Sequence, residues 1–257
     1  MKIVWCGEGR GELRPIEAEF LEPLLHNLKD LDEFTVTRSA CAKSILLTGC
    51  RTDELPRHAK AYVRWGEENK WDHQSTCQSR ATERRDWHDL TGHVRGTMFW
   101  SMRHGYRHIA PVNEPGLQCN KAFFDVVPHD VDTPLLAGIL NSTFVVLSKN
   151  VFGRPVGVEG YWATEVTDAK AMLVPDPRTA TPAARKRVAK AFGAMKQRKA
   201  LGFVSERRLR RVKYQAAGRA RELEQLSDET ELDQRDRWAL DDAVLQMMGI
   251  RAKDERQ

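Results

Sequence analysis

Several groups of residues in this chain have the side chains and the spacing to do chemistry. Arg80, Arg84 and Arg85 cluster beside Trp87, flanked by Ser79 and Thr82. Arginine forks grip phosphate or the O6/N7 edge of guanine, and an indole stacks on a base or packs beneath the arginines. His104 and His108 stand at the i, i+4 spacing at which two imidazoles on a helix share a metal. Gly105 and the following Ile109-Ala-Pro-Val favour a strand and turn instead, which leaves Arg103, His104 and Arg107 as phosphate contacts. Asp168-Ala-Lys170, after Glu165, has the acid–x–lysine order of metal-dependent nucleases, but no partner acid on a neighbouring strand can be named for it. Lys121 precedes the apolar run Ala122–Val127 and suits phosphate, while Phe123 suits a core. Asn141 can read adenine or bond nearby backbone. Lys149 and Arg154 bracket Val151-Phe-Gly next to the Gly157–Gly160 turn, where backbone can approach a partner closely.

Charge is distributed unevenly. Residues 184–221 hold fourteen basic side chains, Arg185, Arg187, Lys190, Arg207, Arg208 and Arg211 among them, against one acid, Glu206. That segment is +13 in a chain of +5, which leaves −8 elsewhere. Such a block attracts polyanions and makes their binding steeply salt-dependent, although solvated helix faces can carry the same run. At 41% hydrophobic and 30% charged, the composition is that of a globular protein with a real core. No apolar run approaches the ~20 residues of a membrane span, and Met1-Lys-Ile-Val-Trp does not read as a secretory signal. Five cysteines without a C-x-x-C pair fit reduced thiols in a cytoplasmic protein, not a disulfide framework or a zinc site.

The elements that must position these residues are mixed. Residues 1–177 alternate short apolar strands (44–48, 97–101, 122–127) with helices (17–28, 57–65, 134–149). Thr133-Pro134 is the predicted start of the last of these, and Gly66 the predicted stop of the second. After Val174-Pro-Asp-Pro177 the composition shifts. Helices are predicted from Thr181-Pro182 to about Gly202, from Ser205-Glu206 towards Leu226, and over 231–248 with Gly249 as its stop. The expected fold is therefore an α/β (mixed α+β) domain, 1–177, followed by a basic α-helical C-terminal extension, 178–257.

The order of motifs resembles a known family. Residues 133–177, TPLLAGILNSTFVVLSKNVFGRPVGVEGYWATEVTDAKAMLVPDP, are similar to the C-terminal target-recognition region of bacterial N6-adenine DNA methyltransferases of restriction-modification and phage-defence systems. The segments 16–36, YVRWGEE (62–68), RRDWHDL (84–90), 97–143 and RWALDDAVLQMMGI (237–250) keep the same order, and the likeness is weakest at 178–230. What the resemblance implies is a module that reads duplex DNA beside a methyl-transferring domain. S-adenosylmethionine would then be held by that catalytic partner, with no cofactor and no metal in this chain. The family's (N/D)-P-P-(Y/F) motif is missing, because the chain contains no Pro-Pro dipeptide. Gly7-Glu-Gly-Arg-Gly11 superficially matches a cofactor loop, but no helix and second strand come after it in register, so it reads as a plain turn. Two other readings stay open: an enzyme acting alone, as a methyltransferase through Gly7–Gly11 or a nuclease through Asp168 and Lys170, and an inert fragment of a split gene.

Overall fold

The computed structural model describes residues 1–6, 12–28, 31–156, 161–204, 206–211, 221–227 and 229–250. The chain is α+β: five small sheets and seven α-helices are described, with one large apolar core and a smaller one around Leu55, Ala59 and Val63. β1 (Lys2–Cys6) and β2 (Glu12–Ile16) pair antiparallel, with Cys6 opposite Glu12. The segment Gly7–Gly11 lies outside the described residues. The next element, β2, is a returning strand and not the helix that a dinucleotide-type loop must open, so the flanks do not fit that cofactor.

A 3-10 turn, Ala18–Phe20, leads into β3 (Leu21–Leu25), which pairs antiparallel with β4 (Lys43–Leu46). The helix predicted over 17–28 is therefore a strand. Pro23 supplies the reason: inside a helix it loses a hydrogen bond and clashes with the preceding turn, at ~3 kcal/mol. In β3 it simply lies opposite Ser44.

α1 (Arg57–Glu68) buries Ala59, Val63 and Gly66 at helical spacing. Its first turn is capped from a distance, by the Glu17 carboxylate accepting from His58 N (3.1 Å) and Ala59 N (2.8 Å). Gly66 does not end the helix as predicted. A Cβ there would lie 3.0 Å from Trp87 and 3.2 Å from Trp71, so the glycine lets two indoles close on the helix.

After the one-turn helix α2 (Ser75–Gln78) come β5 (Met98–Ser101), β6 (Arg103–His104), β7 (Gln118–Cys119) and β8 (Phe123–Val126). β5 and β8 pair antiparallel, and β7 joins β3 in parallel. Every residue of β5 is buried, which matches a fully covered strand.

The helix predicted over 134–149 is two: α3 (Thr133–Leu140) and α4 (Thr143–Phe152), bent by 60°. The break stems from Asn141. Its amide exchanges hydrogen bonds with Ala110, accepting from its N–H (2.9 Å) and donating to its carbonyl (2.8 Å), and also donates to Ala137 O (2.9 Å). The Ala137 bond is local and competes with helix propagation, while the Ala110 bonds tie Asn141 to a loop 31 residues away in sequence. The N-cap of α3 is Asp132, one residue before the predicted Thr133. Among the described residues no single helix is long and apolar enough to cross a membrane.

β9 (Arg154–Val156) and β10 (Tyr161–Ala163) join β6 in the order β6-β10-β9, and α5 (Val166–Ala171) comes next. α6 (Pro182–Met195) starts as predicted, Thr181 Oγ1 accepting from Ala184 N at 3.2 Å, and ends well before Gly202. Where a helix is predicted from 205 towards 226, part of the range lies outside the described residues, and the described ones form an antiparallel pair, β11 (Glu206–Arg211) and β12 (Arg221–Ser227). Its register sets Arg208 opposite Glu224 and Arg210 opposite Glu222, a complementarity of residue types that a hairpin uses and a helix does not. α7 (Arg235–Met247) is the last described element, with Leu240 and Val244 buried and Gly249 left-handed after it (φ 91°).

Val188, Phe192, Leu240 and Val244 belong to the same core cluster as Phe34, Phe99 and Ile139. The boundary expected at 177/178 therefore does not separate two cores. The tightest approach is at Gly138 on α3, where a Cβ would lie 2.6 Å from Val188 Cγ1. Gly138→Ala is expected to destabilise the protein by ~1–3 kcal/mol, since overpacking outweighs the ~1 kcal/mol of helix propensity gained. Urea denaturation checks this, and a stabilised variant would contradict the packing.

Candidate nucleic-acid interface

The arginine cluster sits in the turns after α2. Thr82 and Arg85 form an isolated antiparallel bridge, and the hairpin is tied down by its own arginines. Arg80 donates to Trp87 O (2.7 Å), and Arg85 to Asp89 O (3.2 Å) and Thr91 O (2.6 Å). Two of the three predicted DNA contacts thus hold the turn's backbone together, and Arg84 is the exposed one. Trp87 is partly buried, its indole N–H donating to Glu67 Oε1 at 3.1 Å.

Beside this turn lies an open cleft of about 420 Å³, lined by Arg51, Arg64 and Arg85 as well as Asp53, Glu67 and Asp86. Sequence reasoning missed Arg51 and Arg64, though Arg64 precedes the Trp65-Gly66-Glu67 that it did single out. Arg51 is bound to Asp86 (3.1 Å) and to Glu83 O (3.0 Å). Burial raises the Asp86 pKa, but the Thr52 amide and hydroxyl and the Arg51 charge outweigh it, so the net shift is downward. The cleft is mixed in sign; Arg64 is exposed in it, and Arg84 is exposed on the neighbouring turn.

The second group lies around β6. Arg103 is exposed on that strand, Arg107 is half-buried in the loop after it, and Lys121 is exposed in the turn before β8. The two histidines stand on a strand and a loop, not on a helix. His104 Nε2 lies 3.3 Å from Asn150 Oδ1, and His108 Nε2 lies 2.9 Å from Leu140 O. No group of three metal-ligating side chains occurs among the described residues.

Two predicted contacts need correction. Asn141 is fully buried and its amide is committed to Ala110 and Ala137, so it presents nothing to a base. Lys149 is also fully buried, donating to Ser101 O at 2.7 Å and lying 4.3 Å from the centre of the Trp100 ring. The reason is the bend between α3 and α4, which turns both residues inward against β5 and the loop at Ala110. Burial lowers the Lys149 pKa to about 7.

Arg154, at the start of β9, is exposed but paired with Asp168 at 3.0 Å. Asp168 also accepts from Glu165 N (2.9 Å), completing a reciprocal cap on α5. That amide bond and Arg154 lower its pKa. The acid–x–lysine motif is thus a helix start with a surface ion pair.

On α6, Arg185 donates to Ala180 O (3.1 Å) and pairs with Asp132 at 3.8 Å, and Arg187 reaches Gln246. Lys186 and Lys190 are exposed one turn apart. The helix carries no acid along its whole length. Arg207, Arg208 and Arg211 are on β11, and their side chains lie outside the described residues.

No protein-family model and no curated protein matches this chain. Among solved structures it is similar to the type IIG restriction endonuclease BpuSI, at 13% identity and a TM-score of 0.49. The match covers 90% of this chain and 27% of that one, so the chain spans about a quarter of the neighbour's length. An overlap this loose transfers no residue roles.

Proposed function

We propose that this chain is the DNA-binding, target-recognition portion of an adenine-specific DNA methyltransferase, and that it positions a separate catalytic unit on duplex DNA. The observation that carries the reading is α6. Three of its four cations, Arg185, Lys186 and Arg187, stand in the half nearer the positive end of the helix dipole, where they add nothing to helix stability, and no acid on the helix offsets them. A polyanion gives that arrangement a use. Arg84, Arg103 and Lys121 are further exposed cations, all on turns or short strands of the same fold. The family resemblance supplies the methyltransferase context, and S-adenosylmethionine belongs in this reading to the catalytic partner.

In this reading phosphate contacts set affinity, and a few base contacts set sequence choice. Duplex binding should fall linearly in log K against log salt. Lys186→Ala, Lys190→Ala and Arg84→Ala should each reduce that slope by about one. Fluorescence anisotropy across a salt series measures it. Binding that ignores salt, or methyl transfer to adenine by this chain alone, would remove the proposal.

A further inference from the structure

Lys149 anchors a buried polar cluster that the interface does not use. Three buried side-chain nitrogens around it have no hydrogen-bond partner: Trp100 Nε1, His104 Nδ1 and His108 Nδ1. The cluster is compact. Lys149 lies over the Trp100 ring, Trp100 and His108 stand 5.3 Å apart edge to face, and His104 and His108 stand 6.1 Å apart. Carbonyl oxygens accept only, so each imidazole carries its hydrogen on Nε2, towards Asn150 or Leu140, and leaves Nδ1 as a bare acceptor.

This cluster is connected to one candidate contact, Arg103. The Lys149 amine donates to Ser101 O, and the Ser101 hydroxyl donates to Arg103 O. The amine therefore fixes the turn between β5 and β6, and that turn presents Arg103.

The cations nearest the histidines are Lys149 and Arg237, and Arg237 is itself paired with the buried Glu231. His104 on β6 feels Lys149, and His108 feels Lys149, His104 and Arg237 of α7. Burial and then Lys149 push His104 down to about 3, and burial above all holds His108 well below its ordinary value. Both rings stay neutral while Lys149 titrates.

Resting on the duplex-binding reading above, we propose that protonation of Lys149 is a buried switch coupling DNA affinity to pH near neutrality, through the Ser101–Arg103 turn. A charged amine holds the Ser101 carbonyl more strongly than a neutral one, and it adds a positive charge behind Arg103. A bound phosphate stabilises that charge in return, so duplex and proton bind cooperatively.

The test compares duplex affinity from about pH 6 to about pH 8.5 for the natural chain and for Lys149→Met, which keeps the side chain's length. The surface histidines are common to both proteins, so the difference between them isolates Lys149. The natural chain should lose about fivefold more affinity than the variant as pH rises. Equal pH slopes in two folded proteins would overturn the switch while leaving duplex binding intact, whereas no duplex binding at any pH would sink both readings. If the variant does not fold, lysine side-chain NMR of the natural chain decides. One lysine should titrate near neutrality, and its midpoint should move upward on adding duplex. A set of lysines that all titrate near 10.5, or a midpoint that duplex leaves unmoved, overturns the proposal.

Discussion

Glu231→Gln should cost about 3–5 kcal/mol of folding stability, a large share of the ~5–15 kcal/mol that a domain has. Glu231 is fully buried and, among the described residues, is the only carboxylate paired with Arg237, itself fully buried. It also receives Arg198 (2.8 Å) and the Leu201 amide (2.7 Å). A guanidinium cannot shed its proton, so neutralising Glu231 leaves a cation in the core. The damage should spread because Arg237 also donates to the Asn141 carbonyl, at the bend between α3 and α4. Urea or thermal denaturation measures the loss. Arg237→Met combined with Glu231→Gln should recover much of it, since no stranded cation remains. A single variant as stable as the natural protein would show that the network is not buried as described.

Lys149→Met should move stability the other way. In the unfolded chain Lys149 keeps its proton to its ordinary 10.5, while in the fold it releases it at about 7. Between those values the unfolded state holds the extra proton, so stability rises with pH from about 7 to about 10.5. Below that window both states are charged and the full penalty remains. At ~1.36 kcal/mol per pKa unit the penalty at neutral pH is on the order of 4 kcal/mol. Losing the bond to Ser101 O offsets ~1–3 kcal/mol of the gain. The net expectation at neutral pH is a stabilisation on the order of 1–3 kcal/mol. The rise of stability with pH across the window should also disappear. Melting temperatures across that range check it, and a variant that retains the natural pH profile contradicts the assignment.

Helices α1, α6 and α7 are legible in the sequence from punctuation and periodicity, because local capping and an apolar stripe suffice to define them. Thr181-Pro182 and Gly249 mark ends that the structure confirms. The strands near 44, 97 and 122 are equally clear, since short apolar runs bounded by turns have few other uses. β3 and the paired strands β11 and β12 are not: β3 lies in a run of helix formers that Pro23 interrupts, and the helix formers of β11 and β12 are overridden by their strand pairing. Within the candidate site, residue type identifies which side chains carry charge or an amide. It does not tell Arg84 from Arg80 and Arg85, two positions that tie down their own turn.

By itself the sequence determined an α+β chain, a basic concentration at 184–221 and the helix boundaries that local chemistry sets. Only the tertiary structure decided which polar residues face outward. A 60° bend at Asn141 carries Asn141 and Lys149 inside, and a single core joins the segments on either side of residue 177. The physical reason is range. Capping and periodicity act within one or two turns of chain, whereas burial of an amine or a carboxylate depends on partners tens of residues away.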